Sequence, residues 1–237
     1  MIFKLILLFI LTIIGGSIPL WYAQWKERNL NALLAFSASF LMGISLLHLM
    51  PETYGYLGEK GGIYILIGFL GQSLLQKYTH GFEHGHSPYP HHEGISLAPL
   101  AIGMSFHALF EGIPLGLTKE DNFSLFYAIL FHKIPESIVV VSFLFYTFKN
   151  KVKSWSFLIL FALLTPFSAT ISYYFNYSFT NNSNFYPIIL ALISGVFFQI
   201  SSTIYFEISN NKHVIKKHKW FFIILGFLLS LISINFH

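Results

Sequence analysis

Two stretches of the sequence each place a histidine four residues before a glutamate. His107 precedes Glu111 in the first stretch, and His132 precedes Glu136 in the second. Residues at positions i and i+4 lie on one face of an α-helix, one turn apart. Two such helices that face each other would bring two imidazoles and two carboxylates to one point, and these ligands suit zinc and other first-row divalent ions. The spacing therefore predicts a metal site shared by two helices.

The charges of these residues also suit a divalent ion. Two carboxylates neutralise a dication, so the site with metal would be close to neutral and the site without metal would be negative. Lys133 follows His132 directly. We expect its ammonium group to offset part of the negative charge and to take the place of a second cation, which limits the site to one metal ion.

Each stretch also carries a proline within one turn of its histidine and glutamate. Pro114 and Pro135 have no N–H, so the carbonyl four residues before each proline loses its helical partner. In a membrane, such freed backbone groups are tolerated where they line a cavity or bond to neighbours. The alternative is that the polar side chains join helices by hydrogen bonds. Two pairs with the same spacing, each beside a proline, favour the metal site.

A third histidine, His48, lies one turn before Glu52 at the predicted end of another helix. We expect His48 to contribute to the same metal site, with Glu52 near its outer mouth. The alternative is a histidine and a carboxylate at the membrane interface.

The helices that position these residues are predicted to cross a membrane. The 237 residues are 54% hydrophobic and only 10% charged, whereas soluble domains carry about 25% charged residues. A spanning helix needs about 20 mostly apolar residues, and eight segments meet this requirement. The predicted fold class is therefore an all-α polytopic membrane protein with eight transmembrane helices. The segments lie near residues 2–22, 30–50, 61–75, 95–117, 123–148, 155–175, 185–208 and 220–236.

The distribution of lysine and arginine predicts that both termini lie outside. With this orientation the inner loops hold ten of the fourteen Lys and Arg residues and the outer side holds three, while Lys133 lies within a helix. Cytoplasmic loops of membrane proteins carry such an excess. It explains the net charge of +4 without a nucleic-acid partner. We expect a single transmembrane domain over residues 1–237.

The predicted inner loop at about residues 77–94 is rich in histidine. Clustered imidazoles bind metal weakly, so this loop could capture or sense metal, although flexible loops also accumulate His, Gly and Pro without such a role. The chain has no cysteine, which excludes disulfides and thiolate ligands. The histidines of the loop are His80, His84, His86, His91 and His92.

The sequence resembles a known family at three places. HALFEGIPLG, which starts at His107, and HKIPES, which starts at His132, resemble the paired signatures of the ZIP metal transporters, the Zrt/Irt-like proteins. HLMPE, which starts at His48, is similar to the second-helix motif of that family. The sequence also resembles that family in its eight predicted spans, its outward termini and its histidine-rich loop.

The resemblance implies a function and a set of ligands. The main metal ligands would be His107, Glu111, His132 and Glu136, with His48 contributing. The protein would be integral to a plasma membrane or a bacterial inner membrane and would move zinc, iron, manganese or related ions inward. Its partners would be the lipid bilayer, the metal ion and a second copy in a homodimer. The helices that carry the site would slide against the others in an elevator-like motion.

This chain departs from the family members that hold two metal ions. Those members place Asn after the first histidine, Asp at the second position of the second motif and a carboxylate on the sixth helix. The corresponding positions here are Ala108, Lys133 and the region of Thr165 and Pro166. The departure implies a single central ion.

Two other functions remain open from the sequence. An intramembrane metal-dependent hydrolase would keep three protein ligands and an open position for water, and a metal sensor or chaperone would work through the histidine-rich loop. Against the hydrolase, the chain has no HExxH pair, and both carboxylates are used as ligands. We expect that the protein is not an enzyme and holds no resident cofactor. The transported ion would be Zn²⁺, and ligands of this type do not separate it from Fe²⁺, Mn²⁺, Co²⁺ or Cd²⁺.

Overall fold

The computed structural model describes residues 1–22, 27–79, 97–117, 123–178, 185–208 and 217–234. Within these ranges the chain is helical and contains no strand. The elements are α1 (Ile2–Trp21), α2 (Glu27–Ile44), a π-helical segment (Ser45–Leu49), α3 (Met50–Leu57), α4 (Lys60–Thr79), α5 (Leu97–Leu117), α6 (Phe123–Phe148), α7 (Lys151–Ser178), α8 (Phe185–Ile208) and α9 (Lys217–Ile234).

The helical elements correspond to the eight predicted segments, because α2, the π-helical segment and α3 follow one another without a break. Five of the resulting continuous helices in the described ranges are long and apolar enough to cross a membrane. Shorter apolar helices occur at Ala101–Leu117 and Lys219–Ser233. The prediction of an all-α polytopic membrane protein is thereby confirmed, and the eight spans with outward termini stay a prediction.

The continuous helix formed by α2, the π-helical segment and α3 extends further than the sequence predicts. In its π-helical segment the N–H of Met50 bonds the carbonyl of Ser45, five residues back, and the chain passes Pro51 without a break. This helix ends at Leu57. The next residue, Gly58, has a φ of 56°, which favours glycine. Glu52 therefore lies inside a helix and not at its end.

Helix α4 is also longer than the predicted segment 61–75 to which it corresponds. It runs from Lys60 to Thr79, so residues 77–79 of the expected histidine-rich loop are helical. The histidines of that loop lie outside the described residues.

The most extensive helix contacts place the described helices in two groups. In one group, α5 packs along α7, and α1 packs along α6 and α7. In the other, α2 packs along α8 and α9, and α4 packs along α8. We call α1, α5, α6 and α7 the site group, and α2, α3, α4, α8 and α9 the framework group.

Glycines allow the helix backbones to approach closely within each group. A Cβ atom on Gly112 of α5 would collide with the carbonyl oxygen of Thr165 on α7. A Cβ atom on Gly195 of α8 would collide with the carbonyl oxygen of Ile65 on α4. Close approach through small residues is a common way for helices to associate in lipid, because an apolar surface alone gives no drive there.

The two groups also contact each other, mainly where α2 packs along α6. The ring of Phe131 on α6 lies edge-on to Phe36 and Phe40 of α2, with centroids 5.5 and 5.3 Å away. This aromatic contact fixes the position of α6 beside α2 at the residue that precedes His132.

Candidate metal centre

The structure brings the four predicted principal ligands together. One ligand atom from each of His107, Glu111, His132 and Glu136 lies within 4.8 Å of the others. The first two residues are on α5, and the last two are on α6. All four are fully buried or nearly so, with at most 1% of each exposed.

The Nε2 atoms of both imidazoles face Glu111 Oε1, and that of His107 also faces Glu136 Oε1. His107 Nε2 lies 3.2 Å from Glu111 Oε1 and 3.5 Å from Glu136 Oε1. His132 Nε2 lies 3.8 Å from Glu111 Oε1. The two rings are nearly perpendicular, at 82°, with centroids 5.8 Å apart. Two nitrogens and two oxygens therefore surround a common point, which is a donor set that zinc accepts in a four-coordinate site.

Lys133 contacts the other oxygen of each carboxylate. Its Nζ atom lies 2.7 Å from Glu111 Oε2 and 2.8 Å from Glu136 Oε2. Each glutamate thus turns Oε1 toward the imidazoles and Oε2 toward the ammonium group. The expectation that Lys133 offsets the carboxylates agrees with these distances.

The surroundings of the ammonium group are also well defined. Lys133 is completely buried, and its Nζ atom lies 4.5 Å from the ring centroid of Phe161 on α7. An aromatic face attracts a cation through its quadrupole. The positive charge is therefore fixed beside the site by two carboxylates and one ring.

This contact changes the predicted charge balance. Two carboxylates and one ammonium group sum to −1. The sequence predicted that Lys133 offsets part of the negative charge, but the nearly neutral site with metal was predicted from the two carboxylates and the dication. A bound dication would bring the sum to +1. Such a site in the low-dielectric interior disfavours a second dication, because like charges repel strongly there.

The carbonyl of Ala108 is bonded to a neighbouring helix. Thr165 Oγ1 on α7 donates a hydrogen bond of 2.9 Å to that carbonyl oxygen. The resemblance singled out these two positions, with Lys133, as departures from a two-metal site. They lie together in the fold and carry a methyl and a hydroxyl group, and neither provides a carboxylate.

His48 is not part of the four-residue group. It lies in the π-helical segment, where it is 8% exposed. Glu52 follows it on α3 and accepts a hydrogen bond of 3.1 Å from the hydroxyl of Tyr186 on α8. A contribution of His48 to metal binding therefore stays a prediction.

One neighbour of the site was not predicted from the sequence. Ser37 on α2 lies with its Oγ atom 3.1 Å from His132 Nδ1, and both residues are completely buried. The two residues are 95 positions apart, so no local spacing relates them. A buried serine in an otherwise apolar stretch of α2 is the signal that could have pointed to it.

Comparisons with known proteins add to the geometry. The family model described as ZIP zinc transporter matches residues 94–233, a range that contains both His/Glu pairs. The zinc transporter ZIP9-B of Xenopus laevis is similar to the chain, with 28% identity over 206 residues. That similarity covers 68% of this chain and 67% of the relative.

Proposed function

Because this chain belongs to the ZIP zinc transporter family, we propose that it carries a divalent metal ion, zinc above others, across the membrane into the cytoplasm. A single binding site, shared between α5 and α6, would hold the ion during transport. Zinc itself, the inward direction and the ligand roles are parts of this proposal.

The observation that carries the proposal is the buried group of His107, Glu111, His132 and Glu136. Ionisable residues within the span of a membrane helix are costly, and their usual role is to form a path for ions or substrates. Four such side chains converge here between two apolar helices, which supports metal transport over a purely structural role.

Lys133 supports a single ion per chain. Its ammonium group already engages one oxygen of Glu111 and one of Glu136. A second metal ion bridging these carboxylates would have to displace it. In this proposal Lys133 is the second cation of the site, and only one cation is transported.

The two helix groups support a sliding motion. Backbones are in close contact within each group, at Gly112 against α7 and at Gly195 against α4. Between the groups, α2 packs along α6 through Phe36 and Phe40 against Phe131 and through Ser37 against His132. We propose that the site group moves as a unit along the framework group and carries the metal ion with it.

His48 and Glu52 enter the proposal as residues on the path of the ion. A π-helical turn often occurs at a functional position in a helix, and His48 lies within one. The proposal gives Glu52, held by Tyr186, a role near the outer mouth. A second copy of the chain as a partner is expected from the resemblance.

The hydrolase alternative is less well supported. A catalytic zinc keeps three protein ligands and an open position for water, whereas four donor residues surround the common point here. We therefore propose that the chain is not an enzyme.

Uptake into proteoliposomes tests the proposal. Purified chain in lipid vesicles is expected to move ⁶⁵Zn²⁺, and Glu111→Gln and Glu136→Gln are each expected to reduce the rate at least about 100-fold. Glu59→Gln changes an exposed glutamate in the same way and should transport at the wild-type rate. Wild-type rates in both site variants would contradict the proposal. Product formation from a peptide substrate without metal flux would favour the hydrolase.

A further inference from the structure

We propose that Ser37 is a positioning residue for metal binding, which holds His132 in the tautomer whose Nε2 atom can bind the ion. The inference rests on the proposed function, since it concerns the same site. It adds a residue of the framework group to a site that is otherwise formed by α5 and α6.

The ring of His132 lies between two polar partners. On one side its Nδ1 atom is 3.1 Å from Ser37 Oγ, and on the other its Nε2 atom is 3.8 Å from Glu111 Oε1. All three residues are completely buried. The polar partner of Nδ1 that the structure identifies is therefore a side chain from another helix.

The chemistry of imidazole makes the serine the hydrogen-bond acceptor when Nε2 binds the metal ion. A neutral imidazole carries one N–H and one lone pair on its ring nitrogens. A metal ion takes the lone pair, so Nδ1 must hold the hydrogen when Nε2 binds. The Nδ1–H group then donates to Ser37 Oγ. Metal-binding histidines generally donate their second ring N–H to such a partner, which fixes both the tautomer and the ring orientation.

The packing around Ser37 does not depend on its hydroxyl. Phe36 and Phe40 of α2 hold the ring of Phe131, which precedes His132. These aromatic contacts set the register of α2 against α6. Ser37→Ala removes one oxygen atom and leaves this apolar contact in place, so the variant is expected to fold.

A second serine on α2 provides a matched control. Ser39 is also buried, and its hydroxyl donates a hydrogen bond of 2.6 Å to the carbonyl oxygen of Ile223 on α9. Ser39→Ala makes the same change on the same helix and removes a bond between helices. That bond lies within the framework group and does not reach the metal site.

Equilibrium binding of Zn²⁺ to the purified full chain in detergent is the first measurement. Removal of a partner that orients a metal ligand usually weakens affinity about 10–100-fold, and Ser37→Ala is expected to fall in that range. Ser39→Ala should bind within about twofold of the wild type. Ser37→Thr keeps a hydroxyl at the same position and should recover most of the loss.

The histidine tautomer itself is the second measurement, and it needs no metal. ¹⁵N spectra of histidine-labelled protein report which ring nitrogen carries the hydrogen, and the signal of His132 is identified by its absence in His132→Gln. The wild type and Ser39→Ala should show hydrogen on Nδ1. Ser37→Ala should shift His132 toward the Nε2–H form.

Equal affinities of Ser37→Ala and Ser39→Ala, or an unchanged tautomer of His132 in Ser37→Ala, would overturn the inference. Failure of the proposed function is a different result. In that case Glu111→Gln would leave Zn²⁺ affinity and transport at the wild-type level, while the metal-free spectra would still decide the role of Ser37.

Discussion

The ammonium nitrogen of Lys133 on α6 lies 2.7 Å from Glu111 Oε2 on α5. This ion pair joins the two helices of the site at a point that is completely buried. It also engages the same side chains that are proposed to bind the transported ion. The stability of the metal-free protein and its metal binding are therefore coupled through Lys133.

Replacement of Lys133 by alanine should make stability depend on metal. Removing one partner of a buried ion pair costs about 3–5 kcal/mol, so the metal-free variant is expected to unfold at a lower temperature than the wild type. Zn²⁺ supplies positive charge to the same carboxylates and should recover much of this loss. The rise in unfolding temperature on adding Zn²⁺ should be larger in Lys133→Ala than in the wild type. Lys77→Ala, at an exposed lysine, should behave like the wild type.

Replacement of Lys133 by aspartate should change the number of ions bound. A third carboxylate in place of the ammonium group reverses the charge that excludes a second dication. Equilibrium dialysis followed by metal analysis is expected to give two Zn²⁺ per chain for Lys133→Asp and one for the wild type. One ion in both proteins would remove the role of Lys133 as the second cation.

The close contact between α5 and α7 should not tolerate a larger residue. A Cβ atom on Gly112 meets the backbone of α7 at Thr165, so Gly112→Ala must push the two helices apart. Overpacking of this kind costs about 1–3 kcal/mol, which should appear as a lower unfolding temperature in detergent. Gly71→Ala places the same methyl group where nothing lies within 4 Å and should leave the temperature unchanged. A tolerated Gly112→Ala would show that the close contact is dispensable.

Cross-links provide a test of the sliding motion, and the chain has no natural cysteine to interfere. A thiol cross-linker between Phe36→Cys and Phe131→Cys would join the two helix groups, and uptake should stop until the link is cleaved. The control joins Ser45→Cys and Ser194→Cys within the framework group, where the two hydroxyl oxygens are 3.3 Å apart. Transport should continue through that link. Uptake that persists with the groups joined would contradict the motion.

Competition between ions should follow the chemistry of the donors. Imidazole and carboxylate ligands accept several divalent transition-metal ions, whereas Cu⁺ prefers thiolate and thioether ligands. A tenfold excess of Co²⁺ or Cd²⁺ is therefore expected to reduce ⁶⁵Zn²⁺ uptake by the wild type, and Cu⁺ is expected to have little effect. Strong competition by Cu⁺ alone would contradict the assigned ligand set.

The four-residue group could be predicted because its information is local. His107 with Glu111 and His132 with Glu136 are related by helical periodicity, and two helices that carry the same pattern need only face each other. Lys133 could be predicted for the same reason, since it follows His132 directly. The contact of its ammonium group with both carboxylates required knowledge of the rotation of both helices.

Ser37 and the helix groups could not be predicted in the same way. The relation of Ser37 to His132 depends on which face α2 turns toward α6, and in lipid an apolar face does not identify a neighbour. Close contacts such as Gly195 against Ile65 likewise join distant parts of the chain. The second predicted segment ends near residue 50, but the π-helical turn before Pro51 lets the helix continue to Leu57.

The π-helical segment Ser45–Leu49 determines which way the side chains of the following helix, α3, face around the helix axis. A π-helical turn contains an extra residue relative to an α-helical turn, and each residue advances about 100° around an α-helix. The helix from Met50 to Leu57 is therefore rotated by about 100° from the setting that an uninterrupted α-helix would give. Glu52 meets Tyr186 in this rotated setting. A relative with one residue fewer and a regular α-helical turn here would carry the downstream side chains on the same face, whereas a relative of equal length without the wide turn would carry them on a different face.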